Sequence, residues 1–476
     1  MQNGVLAGLR RRSPVAGLDR RNLGPAEVLA QSVSSAAPAA GMATVPAFVA
    51  VTAGTATVWS FVLATGLALL VAACIAQFTR RMAAAGSLYS LTAKGLGPGA
   101  AFASGAALLS GYAVLVMAAL TGAAVYTDAL LERLGWRAPP AVGAAAVVLL
   151  AAVAGALVLR GVRVSARTVL AVEAVSITLM VVIFVVLLGA PPAPAAPGAG
   201  PPGDLAGIAA GVLPALGAFI GFEAATTLGV EARRPFVSVP RAVLATAVLV
   251  GLLSILAAYT QVVGFAGALG GQPEPVLTLA AVHGAPWLAS LLDLGIATSF
   301  VACTLATTNA LVRVLFSMGR DGIAPRALGA THRRYRTPHI AIAVALPVVA
   351  AVPAVLLAAG MTGPDALRLL LAVATAGYLV GYLLVCLAAP LFLRRIGELT
   401  PGPVVATVIA VPALALACGA FVVSALDAAA PVVLAALLVA AAAWYAWLRL
   451  RRPRELAGIG VYDETSALDV HGARPP

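Results

Sequence analysis

Residues 213 to 241 read LPALGAFIGFEAATTLGVEARRPFVSVPR. The stretch is apolar for about the ~20 residues that cross a bilayer. Yet Pro214, Gly217, Gly221, Gly229 and a carboxylate, Glu223, fall inside it. A helix here is expected to be discontinuous, because proline removes a donor and glycine relaxes the backbone. An ionised carboxylate at mid-depth costs at least ~2.5 kcal/mol even on lenient insertion scales, so Glu223 must face a cavity, a partner or water. It is therefore the first functional candidate.

The rest of the chain fits the same solvent. Of 476 residues, 61% are hydrophobic and only 10% charged, and mean hydropathy is +1.01. A soluble globular protein is excluded on that composition, and an all-α polytopic membrane protein is expected. The Arg-rich segment Met1 to Gly24 contains no apolar run of the signal-peptide kind, so the first span is expected to act as its own insertion signal.

The net charge of +12 raises nucleic acid as a partner, but the distribution of charge argues against it. About twelve spans with both termini cytoplasmic leave only Arg133, Arg137 and Arg368 outside, and every other Lys and Arg inside. The positive charge is then an orientation signal for a multi-pass inner-membrane protein. Cys74, Cys303, Cys386 and Cys418 show no ligand spacing and read as apolar packing, and the four His form no HExxH or similar cluster. No metal and no cofactor is implied.

In order, residues 1–26 read as a mobile basic arm. Spans follow at about 27–53, 58–78, 101–127, 140–159 and 168–189, then at 205–230, 239–263, 288–318, 340–359, 366–393, 404–425 and 431–450. The first span contains QSVSSAAPAAGMATVP, where Pro38 and small neighbours leave backbone groups uncovered. Residues 82–102 read as a loop. Asp128, Glu132, Arg133 and Arg137 read as solvated charges of an outer turn. Glu173 lies less than two turns from the inner end of the fifth span, in reach of Arg163 or Arg167, and pairing with one of them is its ordinary role.

The tract PPAPAAPGAGPPG cannot be helical and reads as an outer linker at 190–204. It separates a first five-helix unit, 27–189, from a second, 205–393, with two further helices at 394–452 and a disordered tail at 453–476. PEPVLTLAAV suggests a short surface helix before the eighth span. Asp293 lies near that span's outer end, with Thr304, Thr307, Thr308 and Asn309 deeper. Trp444, Tyr445 and Trp447 read as an interfacial belt.

The interrupted spans are the first and the sixth. Five spans per unit is an odd number, so the second unit runs through the membrane inverted. Two broken helices that open inverted repeats are the pattern of secondary transporters. Half-helix N-termini suit an anion, and freed carbonyls suit an ammonium group. A zwitterion fits both, and an amino acid is the simplest one.

Three stretches carry a family resemblance: AAAGSLYSLTAKGLGPGAAFASG at 83–105, FIGFEAATTLGVEARRPFVSVPRAV at 219–243 and VRVLFSMGRDGIAPRALGATHRRYRTPHIAI at 312–342. On these the chain resembles the amino acid-polyamine-organocation permeases, over about residues 23 to 452. The resemblance implies a leucine-transporter-like 5+5 inverted repeat with discontinuous helices 1 and 6 and two appended helices, working by alternating access. It implies a substrate carboxylate at the first break, on Ser35, Ala36, Ala39, Ala40 and Gly41. It implies an amino group at the second break, on Ala218, Phe219, Gly221, Phe222 and Glu223, with Phe222 nearest the gate. Tyr112, Tyr378 and Tyr382 become pocket-wall candidates.

Two departures stand out. The first break reads AAPAAG where many relatives have Gly-x-Gly. No lysine occupies the fifth span, where some proton-coupled relatives carry one, so Glu223 or Glu173 is expected to carry the proton, while Thr307 and Thr308 leave room for sodium. The expected function is proton-coupled symport of amino acids or related amines. Exchange of amino acids or polyamines is the nearest alternative, and an integral-membrane enzyme or a sensor without flux are distant ones. The expected partners are the small-molecule substrate and the lipid bilayer, with no nucleic acid and no obligate protein.

Overall fold

The structure is a computed structural model that describes residue 18 and residues 20–136, 140–189, 204–272, 274–282, 287–424 and 429–460. Most of the basic arm, the outer linker and the distal tail lie outside the described residues. In chain order the helices are α1 (Pro25–Ala36), α2 (Pro38–Ala53), α3 (Thr57–Thr79), α4 (Leu88–Leu96), α5 (Pro98–Arg133), α6 (Pro140–Leu159), α7 (Val162–Leu188) and α8 (Leu205–Leu216). After short 3-10 turns at Gly217–Phe219 and Ala224–Leu228 come α9 (Pro235–Gly264), α10 (Pro275–Val282), α11 (Trp287–Asp321), α12 (His339–Ala358), α13 (Gly363–Arg395), α14 (Pro401–Ser424), α15 (Ala430–Arg451) and α16 (Pro453–Ala457). Among the described residues the only β feature is an isolated bridge between Leu23 and Ala232.

Among the described residues, eleven stretches are long and apolar enough to cross a membrane, the first being Pro25–Thr79. A straight helix of that length would run about 80 Å, far beyond the roughly 30 Å hydrocarbon core. It is cut at Gly54, whose φ of 53° and ψ of −127° end α2, so α1 with α2 makes one crossing and α3 the next. That resolves 11 apolar stretches into the twelve spans expected. The outer faces of α14 and α15 are apolar and bare, with Leu416, Val432, Leu438 and Val439 about 70% exposed. Lipid is the solvent that accepts such a face.

The first break has a local cause. Proline disfavours the α region for the residue before it, and Ala37, just ahead of Pro38, adopts the left-handed conformation at φ 46° and ψ 58°. For an alanine this costs roughly 1–2 kcal/mol, so the surroundings must hold it. α2 then starts on Pro38, whose missing donor costs nothing at a first helical position. Further along, Pro46 leaves the Met42 carbonyl without its helical partner, and Gln261 Nε2 of α9 supplies the bond at 2.8 Å.

The second break is longer. α8 gives way to a 3-10 turn, Ile220 is extended, and Gly221 takes φ 95°. Beyond Glu223 the chain winds as 3-10 rather than α-helix, so the sixth span is α-helical on one side only. A Cβ on Gly221 would lie 2.6 Å from Ser35 Oγ and 2.7 Å from Ser35 O. The two breaks touch there, and only glycine allows the approach.

Around them, α1 packs against α7, α9 and α11, α5 packs against α11 and α13, and α9 packs on α3. Residues expected as a loop at 82–102 contain α4, which fills the groove between α5 and α13 through Leu88, Tyr89 and Leu91. The arm expected to be mobile is held where it meets the bundle. Leu23 N–H donates to Glu231 O at 3.0 Å, Arg233 N–H donates to Leu23 O at 2.9 Å, and Leu18 packs on Ala85 and Phe316. The tail likewise begins with a helix, α16.

Candidate functional site

Glu223 sits at the end of the second break, fully buried, and each carboxylate oxygen accepts a tyrosine hydroxyl. Tyr112 of α5 donates to Oε1 at 2.7 Å and Tyr382 of α13 donates to Oε2 at 2.6 Å. The remaining contacts order the protons. Tyr112 has spent its hydrogen on Glu223, so Ser87, 3.0 Å from it, must donate to its oxygen, and Thr226 must donate to Ser87 at 2.9 Å. On the other side Gly221 N–H donates to Tyr382 at 3.4 Å. Two donor chains therefore converge on one carboxylate, and such chains polarise each member toward it. The tyrosines also pack ring on ring. Tyr378 lies edge-on to Tyr112 at 5.2 Å, and Phe222 lies 5.2 Å from Tyr382. The Tyr378 hydroxyl is buried and takes no hydrogen bond among the described residues.

The first break is served by one face of α11. Ser299, Cys303 and Thr307 recur every four residues, a single stripe of a helix. Thr307 Oγ1 is 3.0 Å from Ser35 Oγ, and Cys303 Sγ donates to Ser35 O at 3.2 Å. Ser299 Oγ donates to Glu173 Oε1 of α7 at 3.0 Å. Below, Gln31 Nε2 donates to Ala306 O at 2.6 Å, and Ser32 Oγ accepts Ala225 N–H at 2.8 Å, tying α1 to the turn beyond the second break.

Of the expected residues, Ser35, Gly221, Phe222, Glu223, Tyr112, Tyr378 and Thr307 come together. Ala36 closes α1 and Ala39 is the second residue of α2, beside the break, while Ala218 and Phe219 form the buried 3-10 turn before Gly221. Ala40 is in the first turn of α2. Gly41 differs from expectation: its N–H bonds Ala37 O at 2.9 Å and offers nothing to a ligand. It faces Ala218, whose Cβ would lie 3.9 Å from an added Cβ. Thr308 Oγ1 is buried without a hydrogen-bond partner among the described residues.

Four residues or groups take roles other than those expected. Glu173 does not pair with Arg167, which reaches Glu27 instead at 3.5 Å, because Glu173 points into the bundle and is 1% exposed; the Arg163 side chain lies outside the described residues. Arg133 is not simply solvated: its Nε lies 2.6 Å from Asp293, a carboxylate with no exposed surface, because α5 and α11 pack along their length. Cys303 is more than packing, as its bond to Ser35 shows. Trp444 and Tyr445 pack on Phe102 at 5.0 and 5.3 Å, and Trp444 donates to Ile323 O, so they anchor α15 rather than form a belt.

Sequence reasoning passed over Ser87, Thr226 and Ser299, and also Arg313 and Glu231, an ion pair whose two side chains are no more than 5% exposed. The four-residue spacing of Ser299, Cys303 and Thr307 was the signal available for one of them.

Over residues 27–445 the chain matches the amino acid permease model. It belongs to the amino acid permease family. This permease is 27% identical over 289 residues to the branched-chain amino acid permease BcaP of Bacillus subtilis, a match covering 57% of this chain and 62% of that one. It is 28% identical over 298 residues to a methylthioribose transporter of the same organism, with coverage of 57% and 62%. It is 28% identical over 291 residues to the low-affinity putrescine importer PlaP of Escherichia coli, with coverage of 57% and 61%. The match thus spans about three fifths of each of these relatives. The family matches the resemblance carried by the three quoted stretches.

Proposed function

We propose that this permease is a secondary transporter that carries amino acids or related amines across the cytoplasmic membrane by alternating access, as a proton symporter. The observation that carries the reading is the meeting of two interrupted helices at Ser35 and Gly221, beside a buried carboxylate held by two donor chains. Backbone groups freed inside an apolar bundle must be satisfied by protein, water or ligand, and this one place gathers such groups from both spans. The names of BcaP and PlaP support the two substrate classes, amino acid and amine.

In this mechanism Phe222 and Tyr382 close over the bound molecule. Glu223 holds the proton, and losing Tyr112 or Tyr382 as donors on opening changes its charge preference. The basic helix ends face the cytoplasm, in keeping with the charge bias.

Uptake into proteoliposomes under an imposed proton gradient tests the reading, with labelled amino acids and diamines as substrates. Wild-type protein accumulates substrate only with the gradient, and Glu223→Gln falls to background while remaining monodisperse in detergent. Uptake that proceeds only with substrate preloaded inside assigns exchange instead of symport. Gradient-driven uptake by Glu223→Gln reduces Glu223 to a structural residue.

A further inference from the structure

The head of α2 has few donors to offer an anion. Pro38 has no N–H, Ala37 N–H bonds back to Ser34 O at 3.2 Å, and Gly41 N–H is committed to Ala37 O. Ala39 and Ala40 carry the remaining free N–H groups of that turn. The Glu173 carboxylate lies near the Ala39 N–H, so this helix head already has one of the protein's own carboxylates beside it.

Glu173 itself is incompletely satisfied. It is 1% exposed, Ser299 serves its Oε1 at 3.0 Å, and its Oε2 takes no hydrogen bond among the described residues. Arg167, nearer the start of the same helix, is turned to Glu27. Glu223 is the opposite case, with both oxygens taken by tyrosine hydroxyls. Of the two buried carboxylates beside the breaks, Glu173 is the one with an open oxygen. A buried carboxylate left short of partners is the group most improved by a cation.

We propose that Glu173 takes the place of a substrate carboxylate at the first break, so that the substrate is a cationic amine without an α-carboxylate, its ammonium received by Glu173 Oε2. A carboxylated substrate would set a second carboxyl group against Glu173 in a dry site, where the two cannot both be ionised without strong repulsion. This inference rests on the transporter reading above and narrows its substrate class.

Two matched pairs test it, each differing by one carboxylate: cadaverine against lysine, and isopentylamine against leucine. Their binding to the purified full-length protein is measured by calorimetry, and their uptake in proteoliposomes. In wild type the amine of each pair binds about tenfold or more tightly than its amino acid. In Glu173→Gln the preference closes or reverses, which a purely structural helix cap would not produce, and Glu173→Asp retains it. An amino acid that binds wild type as tightly as its amine, or a preference unmoved in Glu173→Gln, overturns the inference. If that amino acid is also taken up, the transporter reading survives alone. If no member of either pair binds or enters, both fall together. The wild-type comparison decides the matter even where a variant does not fold.

Discussion

The two breaks are built by different means. At Ala37 a single left-handed alanine ahead of Pro38 interrupts a span that is α-helical on both sides. At Ile220 to Glu223 the helix dissolves over several residues, continues as 3-10 turns, and is held from outside by Tyr112, Tyr382 and Ser32. A proline imposes its break through covalent geometry, whereas a glycine only permits one. The first is therefore local, and the second depends on what packs against it.

The supports beside each break differ most at the basic end. Just past the second break, Glu231 and Arg313 are paired and buried, whereas Arg167, paired with Glu27 at the start of the first span, is 62% exposed. Removing one partner of a buried pair leaves an unmatched charge, so Arg313→Ala is expected to cost about 3–5 kcal/mol. Arg167→Ala is expected to cost under about 1 kcal/mol, since exposed pairs contribute little. Thermal unfolding in detergent compares them, and equal losses would remove the distinction between the two ends. Joint replacement of Arg313 by Met and Glu231 by Leu should recover most of the loss.

The next largest contrast is between glycines. Gly221→Ala imposes a side chain at φ 95° and against Ser35. The backbone strain alone should cost about 2–3 kcal/mol, with the clash adding to it. Gly41→Ala meets only ordinary contact and sits inside a helix, where it should be neutral or stabilise by up to about 1 kcal/mol. A Gly221→Ala protein with wild-type melting temperature would show that the breaks do not touch.

The smallest contrast concerns single donors. Tyr382→Phe deprives Glu223 of one hydrogen bond and should cost about 1–2 kcal/mol. Ser299→Ala removes the hydroxyl donor to Glu173 and should cost a similar amount. Melting curves give the stability terms, and uptake should fall for Tyr382→Phe before folding is affected. A Ser299→Ala loss well above that of Tyr382→Phe would mean that Glu173 has less support at the first break than its contacts indicate.

Composition, spans, the two interruptions and Glu223 were all legible in the sequence. Hydropathy acts through the solvent, and proline and glycine act on their own backbone, so neither requires knowledge of neighbours. The short helix α4 and the pairing of Arg133 with Asp293 were not legible, because both depend on grooves and faces supplied by distant segments. Glu173 is the clearest case. Along the chain its nearest charges are arginines, and only the packing of α7 against α1 and α11 sets it among Ser299, Cys303 and Ala39 instead. Sequence alone determined that a carboxylate lies within this membrane span. The tertiary structure decided what it faces, since burial removes water as a partner and leaves only the groups that packing brings within reach.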